Sequence, residues 1–321
     1  MDTSSIGDAR GFCSSQGRWP QPRMLLSTLW LLGAVACGTE ELAAEPEPLA
    51  VRHQSLDFPN GLSANGLSAN GLSANGLSAN GLSANGLASE SFRAWFTQSP
   101  AHADMVMQYV VRCAVPEGQT RTYTPPSSTH TYTWQGGLGL TPGWAHGQPI
   151  SVAEQQLLTA CLAAHVNKYG VSVLISVLGK TATGQSIPYT ATEVQEYAIQ
   201  EGCFFGNLFT GQGIFYGNDS RLLKDNESSA RACVLSSEHP ESMSACPPMV
   251  YTGPCDRLCT REPHTPFYAA CTWKGVTYRP ITTRIHPDDV YNCGDGVCQF
   301  TESCGQGSGG NICEKDCGRC P

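Results

Sequence analysis

The chain has 321 residues, a formal charge of −8, and only 14% charged residues. That balance argues against a nucleic-acid binder, which needs a basic stripe to neutralise phosphates, and the low charge argues against a charged disordered chain. Sixteen cysteines, 34 glycines and 21 prolines point instead to a crosslinked, loop-rich protein of one or two domains.

Residues 1–36 read as an export signal. Met24 to Ala36 is an uncharged, mostly apolar run of 13 residues, preceded by Arg10, Arg18 and Arg23. Such a run suits the apolar region of a signal peptide and is too short to span a bilayer as a helix. It closes on Ala34-Val35-Ala36-Cys37-Gly38, which resembles the bacterial lipobox. The resemblance implies that Cys37 is a lipidation site and that the membrane is a partner through that lipid. By resemblance to enteric lipoproteins, Gly38 rather than Asp after the cysteine permits sorting to the outer membrane. Plain secretion after Ala36, with Cys37 left as a thiol, is the competing reading.

Cysteine parity favours the lipid. Without Cys13 and Cys37, eight cysteines remain before residue 272: Cys113, Cys161, Cys203, Cys233, Cys246, Cys255, Cys259 and Cys271. Six follow: Cys293, Cys298, Cys304, Cys313, Cys317 and Cys320. Both sets are even, as expected of an exported disulfide framework, although the connectivity stays open. Zinc competes, because Cys255 to Cys259 and Cys313 to Cys320 have ligand-like spacing. An export signal favours disulfides.

Residues 37–88 read as a flexible tether. Asn-Gly-Leu recurs at 60, 65, 70, 75, 80 and 85. The period resembles that of pentapeptide-repeat solenoids, but Asn stands where those proteins place a small residue. Leu at every fifth position matches neither the helical nor the strand period, so no apolar face is expected. A flexible chain of this length averages about 40 Å end to end.

Residues 89–287 read as an α+β, disulfide-bonded domain. Ser91–Phe96 and Ala103–Cys113 are expected helices, the second with Val106, Val110 and Cys113 at core spacing. Thr122–Thr124 and Thr131–Trp134 predict a hairpin. Ser151 and Glu154 form a capping-box pattern that opens a helix running to Tyr169 before Gly170, with Leu157, Leu158, Cys161, Leu162 and His165 on one face. Val171–Leu178 predicts a buried strand. Thr190 and Glu193 suggest a second capping box and a helix through about Glu201, with Val194, Tyr197 and Ala198 facing inward. Short strands are expected at Ile214–Tyr216, Phe267–Trp273 and Val276–Tyr278.

The usual catalytic motifs are not written in the chain: it has no Gly-x-Ser-x-Gly elbow, no His-Glu-x-x-His and no Walker loop. His165 is the histidine best placed for catalysis, although a packed role fits it more simply. Trp134, Trp144 and Trp273 offer a sugar-stacking platform as an alternative to core packing.

Residues 288–321 form a cysteine-rich module, with six cysteines in the segment Cys293–Cys320. Such density leaves little room for an apolar core, so crosslinks must carry the fold. The segment Cys293-Gly-Asp-Gly-Val-Cys298 resembles small Cys-Gly-Asp-Gly-x-Cys modules of exported myxobacterial proteins. Together with the Asn-Gly-Leu repeat, the chain resembles an uncharacterised myxobacterial family of exported, cysteine-rich lipoproteins. The module also resembles Notch-type repeats, in which carboxylates between disulfides hold calcium. On that resemblance Asp295, Glu302 and Asp316 are the candidate ligands, against the plainer reading of three solvated acids. The expected function is a cell-envelope lipoprotein with a non-catalytic interaction or structural role and an envelope or extracellular partner of unspecified kind. An exported hydrolase of envelope polysaccharide or peptide, with His165 or Tyr169 near its site, is the alternative.

Overall fold

A computed structural model describes residues 77–126, 128–219, 221–236, 246–306 and 311–320. The export signal, Cys37 and the first copies of the repeat lie outside the described residues. The architecture is α+β, crosslinked by seven disulfides among the described residues.

Short helices α1 (Leu77–Asn80) and α2 (Ala84–Leu87) come first. They correct the expected tether over its last twelve residues. Leu77, Leu82 and Leu87 are 0%, 0% and 3% exposed and belong to the main apolar cluster. The described pentads need no core of their own, because they complete that of the domain. Gly81 makes the turn between the two helices at φ +64°, a conformation glycine adopts freely.

Helix α3 (Glu90–Gln98) is capped by Ser89, and α4 (Pro100–Ala114) buries Val106, Val110 and Cys113 as the spacing required. Strands β1 (Thr120–Tyr123) and β2 (Tyr132–Gln135) form the expected antiparallel hairpin. After the turn α5 (Pro142–Ala145), helix α6 (Val152–Ala164) opens on the capping box of Ser151 and Glu154. It ends five residues before the expected stop. Asn167 Oδ1 accepts from the amides of Tyr169, at 3.0 Å, and Val171, at 3.2 Å, which folds the chain away from the helix axis.

The sheet is where sequence expectation and structure diverge most. Strand β3 (Ile175–Gly179) is shorter than expected and leaves Leu174 exposed. Helix α7 (Ala191–Glu196) stops after six residues and buries none of them. Thr190 caps the Glu193 amide, but the Glu193 carboxylate accepts from Ser176 Oγ at 2.7 Å instead of closing the box. Strand β4 (Ile199–Asn207) then replaces the end of the expected helix, and its last seven residues are buried. Burial on both faces wins over the local helical signal.

Strands β5 (Gly213–Asn218), β6 (Glu227–Ser228), β7 (Met249–Tyr251), β8 (Cys259–Arg261), β9 (Tyr268–Trp273), β10 (Val276–Tyr278), β11 (Ile281–Ile285) and β12 (Tyr291–Asn292) follow. The main sheet has the order β3-β11-β4-β5-β7 and is antiparallel except for the β5-β7 pair. Phe204 and Tyr216 face the cluster that contains α6. Phe205 and Phe215 face the opposite way, into a smaller cluster under the β10-β9-β8 sheet.

The cysteine-rich module docks on this body. Strand β12 pairs with β6, Ser228 Oγ and Thr301 Oγ1 lie 2.8 Å apart, and the Tyr169 hydroxyl donates to the Thr301 carbonyl at 3.2 Å.

Glycines let the middle of the sheet close. A Cβ on Gly217 would meet the Gly253 carbonyl oxygen and would lie 3.2 Å from the Cys255 amide nitrogen. Gly217→Ala is therefore expected to cost about 1–3 kcal/mol. The check is a lower denaturant midpoint at unchanged m.

Candidate functional site

A buried polar arrangement lies where β4 and β11 change register. The pairing shifts between Thr283 and Arg284, so that Gly202 faces Thr283 while Gln200 faces Arg284. Glu201 is the extra residue of this bulge, and bulges re-aim side chains. Arg231 meets it, with Nε donating to Glu201 Oε1 at 2.7 Å. The two side chains are 2% and 0% exposed. Thr283 Oγ1 donates to Glu201 Oε2 at 2.8 Å. The other guanidinium nitrogens donate to the Ala164 carbonyl at 2.7 Å and the Val166 carbonyl at 2.8 Å. One cation thus serves the last carbonyl of α6, the Val166 carbonyl just beyond it, and the carboxylate of the bulge.

A second network follows at the end of β5. The Asp219 amide donates to the Glu201 carbonyl at 2.9 Å. Asp219 Oδ1 accepts from the Tyr268 hydroxyl at 2.8 Å and from Arg261 Nη2 at 2.7 Å. The Arg261 guanidinium also lies 4.3 Å from the centre of the Tyr268 ring. Burial, then the Asp219 hydrogen bond and charge, push the Tyr268 phenol well above its usual range, so it stays a neutral donor. Arg284 reaches the Tyr197 and Ala198 carbonyls at 2.7 and 2.9 Å. These groups interlock the polypeptide through buried hydrogen bonds.

His165 caps α6. Its Nδ1 lies 2.8 Å from the Cys161 carbonyl, so that nitrogen carries the proton, and its ring centre lies 5.4 Å from that of Tyr109. Burial pushes the imidazole down to about 4, against the Cys161 hydrogen bond, and the charges of Arg112 and Arg231 add to the fall. The Tyr169 hydroxyl is taken by Thr301 and its ring packs edge-on against Phe300. Both residues expected near a hydrolase site are therefore packed into the framework.

The tryptophan platform is not formed. Trp134 and Trp144 are each 1% exposed, and their indole N–H groups donate to Asp104 Oδ1 and the Leu77 carbonyl, both at 2.7 Å. Trp273 lies apart from them, against Phe215.

In the terminal module the bridges are Cys293–Cys313, Cys298–Cys317 and Cys304–Cys320. Asp316 accepts from the amides of Gly294 and Gly296, which hold its carboxyl below the usual range. Asp295 accepts from the Val297 amide at 2.9 Å and from the Gln299 side chain at 2.8 Å. Glu302 Oε2 accepts from the Gln299 amide at 3.1 Å. Its Oε1 is buried without a donor among the described residues, and burial, with Asp316 and Asp295 near, raises the carboxyl. The three carboxylates do not form a cluster whose ligand atoms all lie within 4.8 Å of one another. As placed, Asp295, Glu302 and Asp316 each accept a backbone amide between the disulfides. Three groups of close ligand atoms do occur among the described residues, but each includes sulfurs already joined in disulfides. Metal ligation by cysteine needs thiolates.

The chain is thus a disulfide-crosslinked α+β protein that carries a pentad repeat. The family model of the GLTT repeat matches residues 59–89 in six copies. No curated protein and no solved structure matches the chain.

The Arg231 network was not legible beforehand. Its one trace is an arginine inside the apolar run Ala230–Leu235. Arg231→Met should cost about 3–5 kcal/mol, because it leaves the Glu201 carboxylate buried without its cation. The double variant with Glu201→Met should recover part of that loss, as read in chemical denaturation. His165 binds fewer protons folded than unfolded between its ordinary value, about 6.5, and about 4. Its contribution to stability is full above that window and falls as pH falls through it. His165→Gln should flatten this acid-side loss in thermal melts.

Proposed function

We propose that this is a lipid-anchored cell-envelope protein whose folded body binds or builds rather than catalyses. One observation carries the non-catalytic part: buried groups able to do acid–base chemistry are committed to the framework. Glu201 is held by Arg231 and Thr283, Asp219 by Arg261 and Tyr268, and Glu227 by Arg221. Glu154 is spent on the amides of Trp144 and Ser151, and His165 on a helix carbonyl. A general base needs a face open to substrate, which the buried carboxylates of Glu154, Glu201, Asp219 and Glu227 lack.

Seven disulfides among the described residues are the mark of an exported protein. The anchoring rests on Ala34-Val35-Ala36-Cys37 after an apolar run and on the even count of the remaining framework cysteines. Two or three acyl chains would hold the protein stably at a membrane, as one chain would not. The resemblance to exported myxobacterial lipoproteins agrees with this placement. The partner is sought in the envelope or outside the cell.

Metabolic labelling with palmitate should tag the wild-type chain and leave Cys37→Ala unlabelled and released from the membrane fraction. Label retained in Cys37→Ala would contradict the anchor. Hydrolysis of envelope polymers by purified protein, lost in His165→Ala at unchanged melting temperature, would contradict the non-catalytic reading.

A further inference from the structure

The repeat offers more Asn-Gly-Leu copies than the described core seats. Leucines of the repeat stand at 62, 67, 72, 77, 82 and 87. Three of them, Leu77, Leu82 and Leu87, fill the main apolar cluster. From Asn60 to Ala84 the five pentads are identical, and the sixth differs only in its last two residues, Ala88 and Ser89.

The seat reads leucine, glycine and backbone positions that recur in every copy, and a serine that recurs in the first five. The Trp144 indole N–H donates to the Leu77 carbonyl at 2.7 Å, and the Leu82 amide donates to the Trp144 carbonyl at 2.9 Å. Arg121 Nε donates to the Leu82 carbonyl at 2.8 Å. Within the repeat, the Gly86 amide donates to Ser83 Oγ at 3.2 Å. Two glycine positions are obligatory. A Cβ on Gly81 would meet Gly147 and the Trp144 carbonyl, and one on Gly86 would meet the Gly81 carbonyl. These contacts are all to backbone, leucine, glycine or serine at a five-residue interval.

We infer that the surface formed by Arg121, Trp144 and Gly147 is a three-slot binding site for Asn-Gly-Leu pentads, and that its occupants are any three consecutive copies of the chain's own repeat. A shift of five residues returns the same side chains to the same slots. Its cost is a longer connection between the last seated leucine and Ser89, and loop closure grows only slowly with length. The chain outside the seat then lengthens or shortens in steps of five residues. This inference stands independently of the lipid anchor and of the non-catalytic reading.

The test is a cycle of two changes in the full oxidised chain: Leu82→Asp, and deletion of residues 60–74. Deletion alone should leave the melting temperature unchanged, since Leu77, Leu82 and Leu87 remain. In the deleted chain Leu82→Asp should lower it by more than about 10 °C, because a charge replaces a buried leucine. In the full chain the same substitution should lower it by a small fraction of that, because the copies bearing Leu67, Leu72 and Leu77 take the slots. Hydrogen exchange should then show amide protection moved ten residues toward the N-terminus. Equal losses in both backgrounds would overturn the inference, as would protection that stays on residues 77–88. A rescue that depends on protein concentration and doubles the mass in light scattering would overturn the choice of occupant, placing a second copy in the slots.

Discussion

Covalent closure is the constraint on which this fold rests. Eight cysteines before residue 272 close on one another, and six after residue 292 do the same. Cys113–Cys161 ties α4 to α6, and Cys203–Cys255 ties the central strand to the chain just before β8. Cys259–Cys271 joins directly opposed residues of β8 and β9, with Cys259 Sγ 3.6 Å from Cys203 Sγ. Each such closure contributes about 2–4 kcal/mol. Beyond α4, α6 and β4, the segments they hold are short strands and turns rich in glycine and proline, which bury little apolar surface unaided. Oxidation is therefore a condition of the fold, and it explains why the chain belongs outside the cytoplasm.

Within that frame, polar groups do the fine positioning. Arg231 carries the central case, since it ends a helix and neutralises a strand residue with one guanidinium. In such a pair desolvation offsets much of the attraction, so its net stabilisation is small beside the cost of removing one partner. The bulge that aims Glu201 at it also brings the Asp219 amide to the Glu201 carbonyl. Acidic and basic side chains that look chemically useful in isolation are in this way drawn into joints between elements.

Periodicity, caps and parity were legible in the sequence. The stripe in α4, the capping box of α6, the β1-β2 hairpin and strands β5, β9 and β10 stand close to where residue patterns put them. The division of the cysteines into two closed sets followed from counting. The central strand β4 did not, because Thr190 and Glu193 carry a true helix start whose continuation is decided by burial between two layers. Strand β11 was missed because Ile281–Ile285 alternates weakly, with Arg284 among buried threonines. The seated pentads were missed because period five has no face of its own, and their partner, Trp144, lies more than fifty residues away in sequence. The acids of the terminal module were visible as residues, but their work as backbone staples depends on bridges whose pairing the sequence leaves open.

The most direct test of this account is proteolytic mapping of the native protein under non-reducing conditions. It predicts peptides joined as Cys113–Cys161, Cys203–Cys255, Cys233–Cys246 and Cys259–Cys271, and a separate set joined as Cys293–Cys313, Cys298–Cys317 and Cys304–Cys320. A bridge between the two sets, or alkylatable thiols at these positions in folded material, would contradict it.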